Sequence, residues 1–219
     1  MIETKTKRAL ITGGTGLIGR ALIKRFEQTG WHVIAPTRAQ FDLAVPGQAE
    51  RMVAAAGDID LLINCAADQS VLELSSDPTA IARLFQINVL SPLAALVKAK
   101  QYGASVGINI SSIEAISPRM GHEIYGASKA ALEGLTKSLA VSLAPMRVNA
   151  IRLGLIGDAT LEERWPDGVA SWRNSVPAGR YGAPEEVAEF ALTIAGGQFD
   201  FATGAIFDFD GGKSASPGW

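Results

Sequence analysis

A glycine-rich turn near the N-terminus constrains the fold more than any other part of the chain. Glycines stand at 13, 16 and 19, between an apolar run, Arg8 to Thr12, and a segment of helical periodicity, Ala21 to Gly30. Such glycines permit a tight turn, let backbone N–H groups approach a pyrophosphate and let the helix pack closely on the strand, while the helix N-terminus favours the anion. The order of strand, turn and helix predicts a dinucleotide site; the alternative is a plain glycine-rich turn.

Further apolar runs predict buried strands that alternate with helices. The runs are Trp31 to Pro36, Asp60 to Ala67 and Val106 to Ser112, with helical patterns over 46–56 and 78–100. This alternation indicates an α/β fold. We expect one Rossmann-type domain over 1–219, a doubly wound parallel sheet of about six or seven strands flanked by helices. Pro92 lies inside the second helical pattern and predicts a kink just after it.

Composition limits the partners and the compartment. A net charge of -2 and a pI near 5.7 provide no basic surface for nucleic acid or an anionic membrane. The single Cys65 forms no internal disulfide, no leader segment is apparent, and no window reaches the ~18 apolar residues of a spanning helix. We therefore expect a cytoplasmic protein without nucleic-acid or membrane partners. His32 and His122 are too few for a histidine metal site, so no metal is predicted.

Tyr125-x-x-x-Lys129 is a candidate proton-transfer pair. On a helix, an i,i+4 spacing places both side chains on one face, where the ammonium lowers the pKa of the phenol. Ser112 stands at the predicted carboxyl end of a strand, where open parallel sheets bind ligands. Asn88 lies on an apolar helical face and is either a structural bridge or a polar group facing the site.

The end of the second predicted strand bears on the choice of dinucleotide. An acid there favours the free 2′-hydroxyl of NAD, whereas an arginine favours the 2′-phosphate of NADP. Positions 36–38 hold no acid, and Arg38 is available for the phosphate with Arg20 as a second candidate. NADP(H) is therefore the favoured cofactor, with NAD(H) as the second option.

The chain resembles the short-chain dehydrogenase/reductase family over nearly its whole length. Thr12 to Gly19 is similar to the family's glycine motif, and Asn64 to Ala67 to its Asn-Asn-Ala-Gly turn. Tyr125 follows Ser112 by the family's usual 13 residues. Further similar segments are Arg147 to Ala150, Arg180 to Ala188 and Thr203 to Gly212.

The resemblance implies which residues form the site. It implies a catalytic tetrad of Asn88, Ser112, Tyr125 and Lys129, in which Asn88 holds a water linking Lys129 to solvent, and Lys129 lowers the Tyr125 pKa and bonds the nicotinamide ribose. The implied cofactor-binding set is Gly13, Thr15, Gly16, Leu17, Ile18, Gly19, Arg38, Asp42, Leu43, Asn64, Cys65, Ala66, Ala67, Tyr125, Lys129, Leu153, Gly154 and Ile156.

Three features depart from the family pattern. The glycine spacing is that of the extended branch, which includes epimerases and nucleotide-sugar reductases, whereas the C-terminal half resembles the classical branch. Leu153-Gly154 replaces the usual Pro-Gly, and Asp158 replaces a threonine that contacts the cofactor amide. The interval from Arg38 to Asp42 leaves no room for the usual extra helix and strand.

The expected activity is hydride transfer between NADP(H) and a carbonyl or secondary-alcohol substrate, with Tyr125 as general acid/base. The alternatives are a nucleotide-sugar reductase or epimerase-like enzyme, and a non-catalytic dinucleotide-sensing regulator. Residues 155–180 are expected to cover a small-molecule substrate, with Trp165 and Trp172 beside an apolar portion and Arg164 or Arg173 near an acidic group. The resemblance also implies a homodimer or homotetramer.

Overall fold

The computed structural model describes residues 6–72 and 76–215. Its six strands all run parallel, in the order β2-β1-β3-β4-β5-β6. They are β1 (Arg8–Ile11), β2 (His32–Ile34), β3 (Leu61–Asn64), β4 (Val106–Ser112), β5 (Arg147–Leu153) and β6 (Ile206–Phe209). The predicted doubly wound parallel sheet is confirmed.

Helices cover both faces of the sheet. They are α1 (Leu17–Gln28), α2 (Gln48–Ala56), α3 (Pro78–Phe85), α4 (Ser91–Gln101), α5 (Glu123–Ser142), α6 (Leu161–Arg164), α7 (Pro166–Ser175) and α8 (Pro184–Ala195). Helices α1 and α8 contribute Phe26 and Val187 to the core on one face. Helices α2, α4 and α5 contribute Val53, Leu96 and Leu139 to the core on the other.

The β2 edge of the sheet lacks the extra helix and strand that the family pattern places there. No strand or helix lies between Ile34 and Gln48, as the short interval from Arg38 to Asp42 predicts. Strand β2 pairs with β1 and forms the end of the sheet. The chain therefore passes from β2 directly to the segment that carries Asp42.

A π-helical turn, Gln86–Leu90, joins α3 to α4. It precedes Pro92, and α4 continues from Ser91 to Gln101; the kink just after the proline stays a prediction. Pro92 has no N–H to donate, and its ring would clash with the carbonyl group four residues earlier, that of Asn88. The wider π turn removes this conflict, and π turns of this kind are frequent at functional sites.

The segment Pro78–Gln101 contradicts the expectation that no window of the chain is long and apolar enough for a spanning helix. The segment has 24 residues, and an 18-residue window within it has a mean hydropathy of 1.6, so by length and composition this segment reaches what a spanning helix requires. Its apolar residues nevertheless contribute to the core, where Leu84, Leu96 and Ala99 are fully buried. Burial of these side chains inside the domain explains the hydropathy.

Candidate active site

The carboxyl ends of β1, β2 and β3 border a first cavity of about 360 Å³. Ligands bind at such ends in open parallel sheets. Its wall contains parts of the glycine turn, the chain after β2 and the turn after β3. Seven predicted cofactor residues line it: Gly13, Thr15, Arg38, Asp42, Leu43, Ala66 and Ala67.

The glycine turn is closed so tightly that no side chain fits at Gly13 or Gly19. A Cβ atom on Gly13 would lie 2.7 Å from the backbone nitrogen of Ala66, and Gly13 has a φ of +72°. A Cβ atom on Gly19 would lie 2.1 Å from the carbonyl oxygen of Gly13. The Thr12 hydroxyl accepts hydrogen bonds from the N–H groups of Cys65 and Ala66, both at 3.0 Å, and joins the turn to the end of β3.

Helix α1 begins at Leu17, four residues earlier than the sequence pattern predicts, with Gly16 as its N-cap and no side-chain capping bond. The N–H groups of a first helical turn have no intrahelical acceptor, so an uncapped N-terminus favours an anion. An uncapped helix that begins beside these closely packed glycines fits the pyrophosphate of a dinucleotide.

Arg38 lies at the rim of the first cavity. Its side chain is 72% exposed, and its Nη2 atom is 3.4 Å from Oδ2 of Asp42. The N–H of Ala44 is the main factor that lowers the pKa of Asp42, and the charge of Arg38 adds to it. Arg83, which also lines the cavity, pairs with Asp68 at 2.7 Å.

A second cavity of about 550 Å³ adjoins the first, and both are lined by Ala67 and Gln69. Three of the four predicted catalytic residues line it: Ser112, Tyr125 and Lys129. The Nζ atom of Lys129 is 5.7 Å from the ring centre of Tyr125 and donates a hydrogen bond to the carbonyl of Ile110 at 2.9 Å. The helical spacing thus places both side chains at this cavity.

The direction of the Tyr125 pKa differs from the prediction. Burial raises it to about 12; the nearby charge of Glu114 acts in the same direction, while Ser112 and Gln69 partly oppose both by hydrogen bonding. Burial also lowers the pKa of Lys129 to about 8. Desolvation is the largest influence on the Tyr125 pKa, so Tyr125 is a protonated phenol at neutral pH.

Asn88 and Asn64 lie behind the cavity walls. Asn88 donates to the carbonyl of Asp68 at 2.9 Å and to the hydroxyl of Ser128 at 3.0 Å, and accepts from the N–H of Asp68 at 2.8 Å. Asn64 donates to Asn109 at 2.9 Å. Of the two alternatives for Asn88, these bonds support the structural bridge, which holds the turn after β3 against α5. Its role in catalysis stays a prediction.

A buried charged network fixes α5 against the sheet. Glu133, one helical turn after Lys129, accepts hydrogen bonds from Ser111 at 2.8 Å and from Arg152 at 2.9 and 2.6 Å. Arg152 also contacts Asp208 at 2.7 Å. Because these bonds join α5 to β4, β5 and β6, they fix the helix that carries the Tyr125 and Lys129 pair.

The other predicted cofactor residues divide between the second cavity and its surroundings. Those that line it are Ile18, Cys65, Ala67, Leu153, Gly154 and Ile156, beside Tyr125 and Lys129. Gly16 and Gly19 form the turn itself, and Leu17 borders a separate surface depression together with Asp158. Burial raises the pKa of Cys65 to about 11, which fits a packing residue rather than a nucleophile.

Residues 155–180 contribute aromatic side chains to the second cavity but not the predicted arginines. Trp165 and Trp172 line it. Arg164 pairs with Asp158 at 3.4 Å and Arg173 pairs with Glu162, and neither arginine lines the cavity. The expectation of an arginine from this segment at an acidic substrate group is therefore wrong, because both guanidinium groups have carboxylate partners outside the cavity.

Several residues that line the cavities were not predicted from the sequence. Gln69 lines both cavities, and Glu114, Arg119 and Lys213 line the second. Glu114 lies two residues after Ser112, and that proximity was the available signal. Lys213 comes from the far end of the chain, and only the fold brings it here.

Comparison with known proteins identifies the family. A family model described as Enoyl-(Acyl carrier protein) reductase matches residues 33–214. The human protein named Dehydrogenase/reductase SDR family member 4 is 34% identical over 94% of this chain and 87% of its own length. The chain belongs to the short-chain dehydrogenase/reductase family. The predicted family and enzyme class are therefore confirmed.

Solved structures agree with this assignment. The Thermoplasma acidophilum aldohexose dehydrogenase, in ligand-free form, has a TM-score of 0.88 and 28% identity, covering 98% of this chain and 96% of that one. A blue fluorescent protein from a metagenomic library, in complex with NADPH, has a TM-score of 0.85 and 27% identity, covering 95% and 98%. This short-chain dehydrogenase/reductase thus shares the fold of its neighbours over nearly its entire length.

Proposed function

We propose that this short-chain dehydrogenase/reductase transfers a hydride between NADP(H) and a carbonyl or secondary-alcohol substrate, with Tyr125 as the proton-transfer residue. The observation that carries the proposal is the position of Tyr125. Its side chain is buried beside Ser112 and Lys129 in the second cavity, which adjoins the glycine turn. A dinucleotide held with its pyrophosphate at the turn would have the first cavity for its adenosine and the second for its nicotinamide.

When bound, the nicotinamide supplies or accepts the hydride at the substrate carbon. Tyr125 gives its phenolic proton to the substrate oxygen in reduction and takes it back in oxidation, a type of catalysis that contributes about 10²- to 10⁴-fold. Ser112 donates a hydrogen bond to the same oxygen and stabilises its developing charge. The protonated Tyr125 phenol is the form that reduction consumes.

Lys129 has further N–H groups that are available to donate hydrogen bonds to the cofactor. An ammonium has three N–H groups, and the described structure uses one of them, toward Ile110. The remaining two are available for the nicotinamide ribose hydroxyls, as the family resemblance implies. Its charge beside Tyr125 also stabilises the phenolate that remains after proton transfer.

The cofactor preference rests on Arg38. The chain after β2 offers an exposed guanidinium at the first cavity and no carboxylate at 36–38. A solved neighbour at 27% identity contains NADPH, which supports the same choice. NAD(H) is the second option, because Asp42 partly neutralises Arg38.

The epimerase-like and sensor alternatives have less support. Two relatives, matched over 87% and 97% of their own lengths, are named a dehydrogenase/reductase and a reductase. A regulator has no need of a buried tyrosine between a serine and a lysine. We therefore propose reductase or dehydrogenase chemistry, with residues 155–180 covering the substrate.

Replacing Tyr125 by Phe tests the proposal. We expect Tyr125→Phe to bind NADPH with unchanged affinity, measured by nucleotide fluorescence, and to lose at least about 100-fold in turnover on a panel of ketones. Tyr102→Phe is the matched control, because Tyr102 caps the C-terminus of α4 away from both cavities. Turnover by Tyr125→Phe equal to that of Tyr102→Phe would contradict the proposed role.

Arg38→Ala tests the cofactor preference in the same assays. We expect its Kd for NADPH to rise about 10-fold or more while its Kd for NADH changes little, since only NADPH carries the 2′-phosphate. Arg51→Ala, on the exposed side of α2, is the control. Equal changes for both nucleotides would exclude Arg38 as the 2′-phosphate ligand.

A further inference from the structure

The second cavity is positively charged, although the chain as a whole is negative. Four described residues that line it carry charged side chains: Glu114, Arg119, Lys129 and Lys213. With His122 neutral, three cations and one carboxylate give the cavity a formal charge of +2, whereas the whole chain carries -2. A cavity lined by charge of one sign concentrates ligands of the opposite sign. The second cavity therefore favours an anionic ligand.

Two of the three cations already have a partner or a role. Arg119 Nε lies 3.9 Å from Oε1 of Glu114. Lys129 lies beside Tyr125, where the proposed function uses its charge. The third cation, Lys213, forms no salt bridge within the described part of the chain. Lys213 is therefore the positive charge that is left for a ligand.

The ammonium group of Lys213 has N–H groups available for that ligand. Its Nζ atom lies 3.5 Å from the carbonyl oxygen of Ser175, at the end of α7. This distance exceeds the ~2.7–3.2 Å of ordinary N–H···O hydrogen bonds, so the contact is weak. An ammonium has three donors and no acceptor. A carboxylate at the cavity would therefore find donors on this side chain.

A tight loop fixes the backbone of Lys213 at the cavity. The carboxylate of Asp210 accepts hydrogen bonds from the N–H groups of Gly212 at 2.9 Å and Ser214 at 2.7 Å. The same loop accepts a hydrogen bond from the N–H of Ala178, just after α7, at 3.0 Å. Both oxygens of Asp210 are thus used to shape the loop, and they hold the lysine in position without pairing with its ammonium group.

The wall beside Lys213 suits the carbon skeleton of a substrate. Trp165 and Trp172 line the same cavity, and Trp172 lies one helical turn before Ser175, the residue that the lysine approaches. An aromatic ring provides a flat apolar surface for C–H groups. The cavity therefore combines an apolar wall with one unpaired cation, which matches a carbon chain that ends in a carboxylate.

Resting on the proposed function, we propose that Lys213 selects substrates that carry a carboxylate in addition to the reacting group, that is, keto acids or the corresponding hydroxy acids. The carboxylate accepts hydrogen bonds from the Lys213 ammonium while the reacting oxygen contacts Ser112 and Tyr125. One cation is left for the ligand, so a singly charged carboxylate fits better than a phosphate dianion. Lys213 is in this scheme a specificity-determining residue and takes no part in proton transfer.

Paired substrates test the inference by turnover. Keto acids from acetoacetate through levulinate to longer homologues place a carboxylate at increasing distances from the carbonyl, and their methyl esters lack the charge. With NADPH, we expect the acid-to-ester ratio of kcat/KM at the best chain length to fall about 10- to 100-fold in Lys213→Met, the effect of one charge-assisted hydrogen bond. Lys213→Arg should retain part of the ratio, because it keeps the charge.

Two controls exclude a merely structural role. Lys213→Met also removes the weak contact with Ser175, but loss of support for α7 would lower kcat/KM for acids and esters alike and leave their ratio unchanged. Lys98→Met is the matched control, because Lys98 donates to Gln101 on α4 and does not line the cavity. Its ratio is expected to equal that of the wild-type protein.

A binding measurement tests the inference without turnover. In isothermal titration of the protein saturated with NADP⁺, we expect the Kd of the best keto acid to rise about 10-fold or more in Lys213→Met, whereas the Kd of its methyl ester stays within about twofold. Lys98→Met should bind both compounds like the wild-type protein.

The outcomes separate the inference from the proposed function. Reduction of the ketones with the same acid-to-ester ratio in wild-type protein and Lys213→Met overturns the role of Lys213 and leaves the proposed function standing. Binding of keto acids that depends on Lys213, without reduction of any ketone, supports the carboxylate site and overturns the proposed function. A preference that depends on Lys213 for dihydroxyacetone phosphate, and for no keto acid, overturns the assignment of a carboxylate.

Discussion

Gly19→Ala is the most informative single perturbation of the cofactor site. The added Cβ would lie 2.1 Å from the carbonyl oxygen of Gly13, whereas ordinary contacts begin at 3.4 Å, so the turn must open by more than 1 Å. Overpacking of this kind destabilises by about 1–3 kcal/mol. The higher helix propensity of alanine offsets up to about 1 kcal/mol of this destabilisation. The net loss in the free energy of unfolding is then roughly 1–2 kcal/mol.

The effect on NADPH should exceed the effect on stability. Opening the turn moves the N-terminus of α1 away from Gly13, and loss of one hydrogen bond to a phosphate is worth about 1.5–3 kcal/mol. We expect the Kd for NADPH to rise about 10- to 100-fold, measured by fluorescence titration. The melting temperature should fall by roughly 2–8 °C, since each kcal/mol shifts a domain of this size by about 2–4 °C.

Gly134→Ala is the matched control, because a Cβ atom there meets nothing within 4 Å inside α5. We expect it to raise stability by up to about 1 kcal/mol and to leave NADPH binding unchanged. Gly19→Ala that binds NADPH within twofold of the wild-type protein, at an unchanged melting temperature, would refute the reasoning from the closed turn.

Two further predictions concern the buried groups around α5. In ultraviolet difference titration of the NADPH-free protein against Tyr125→Phe, Tyr125 should ionise near pH 12, because burial raises its pKa to about 12; ionisation near pH 7 would contradict this. Since folding raises this pKa, its contribution to stability is full below pH ~10 and is lost as pH rises through 12. Glu133→Ala should lower the free energy of urea unfolding by about 3 kcal/mol, because it leaves Arg152 buried with only Asp208. The double variant Glu133→Ala with Arg152→Met should recover part of that loss, and a double variant no more stable than Glu133→Ala would argue against an uncompensated charge.

Local patterns in the sequence were sufficient where neighbouring residues decide the structure. The buried run Val106 to Ser112 became β4 with the predicted bounds. The short interval after Arg38 predicted the absence of a helix and strand at the β2 edge. Strand residues and turn glycines act through contacts close in the chain, so their pattern is visible without the fold.

Predictions failed where distant groups compete. The Tyr125-x-x-x-Lys129 spacing predicts a lowered phenol pKa, but burial by surrounding elements reverses its direction. Arg164 and Arg173 looked available for a substrate, yet their carboxylate partners lie outside the cavity. A helical pattern gives neither the depth of burial nor the partner of a long side chain.

The sequence by itself determined the family, the strand and helix alternation and the glycine turn, and it predicted Ser112, Tyr125 and Lys129 as the proton-transfer groups. Only the tertiary structure decided how these groups are solvated and what faces them. Glu114 illustrates the difference: in the chain it is one acid among many, whereas in the fold it is a buried acceptor in the cavity of Tyr125. The physical reason is that hydrogen-bond satisfaction and desolvation depend on every element around a group, and those elements come from distant parts of the chain.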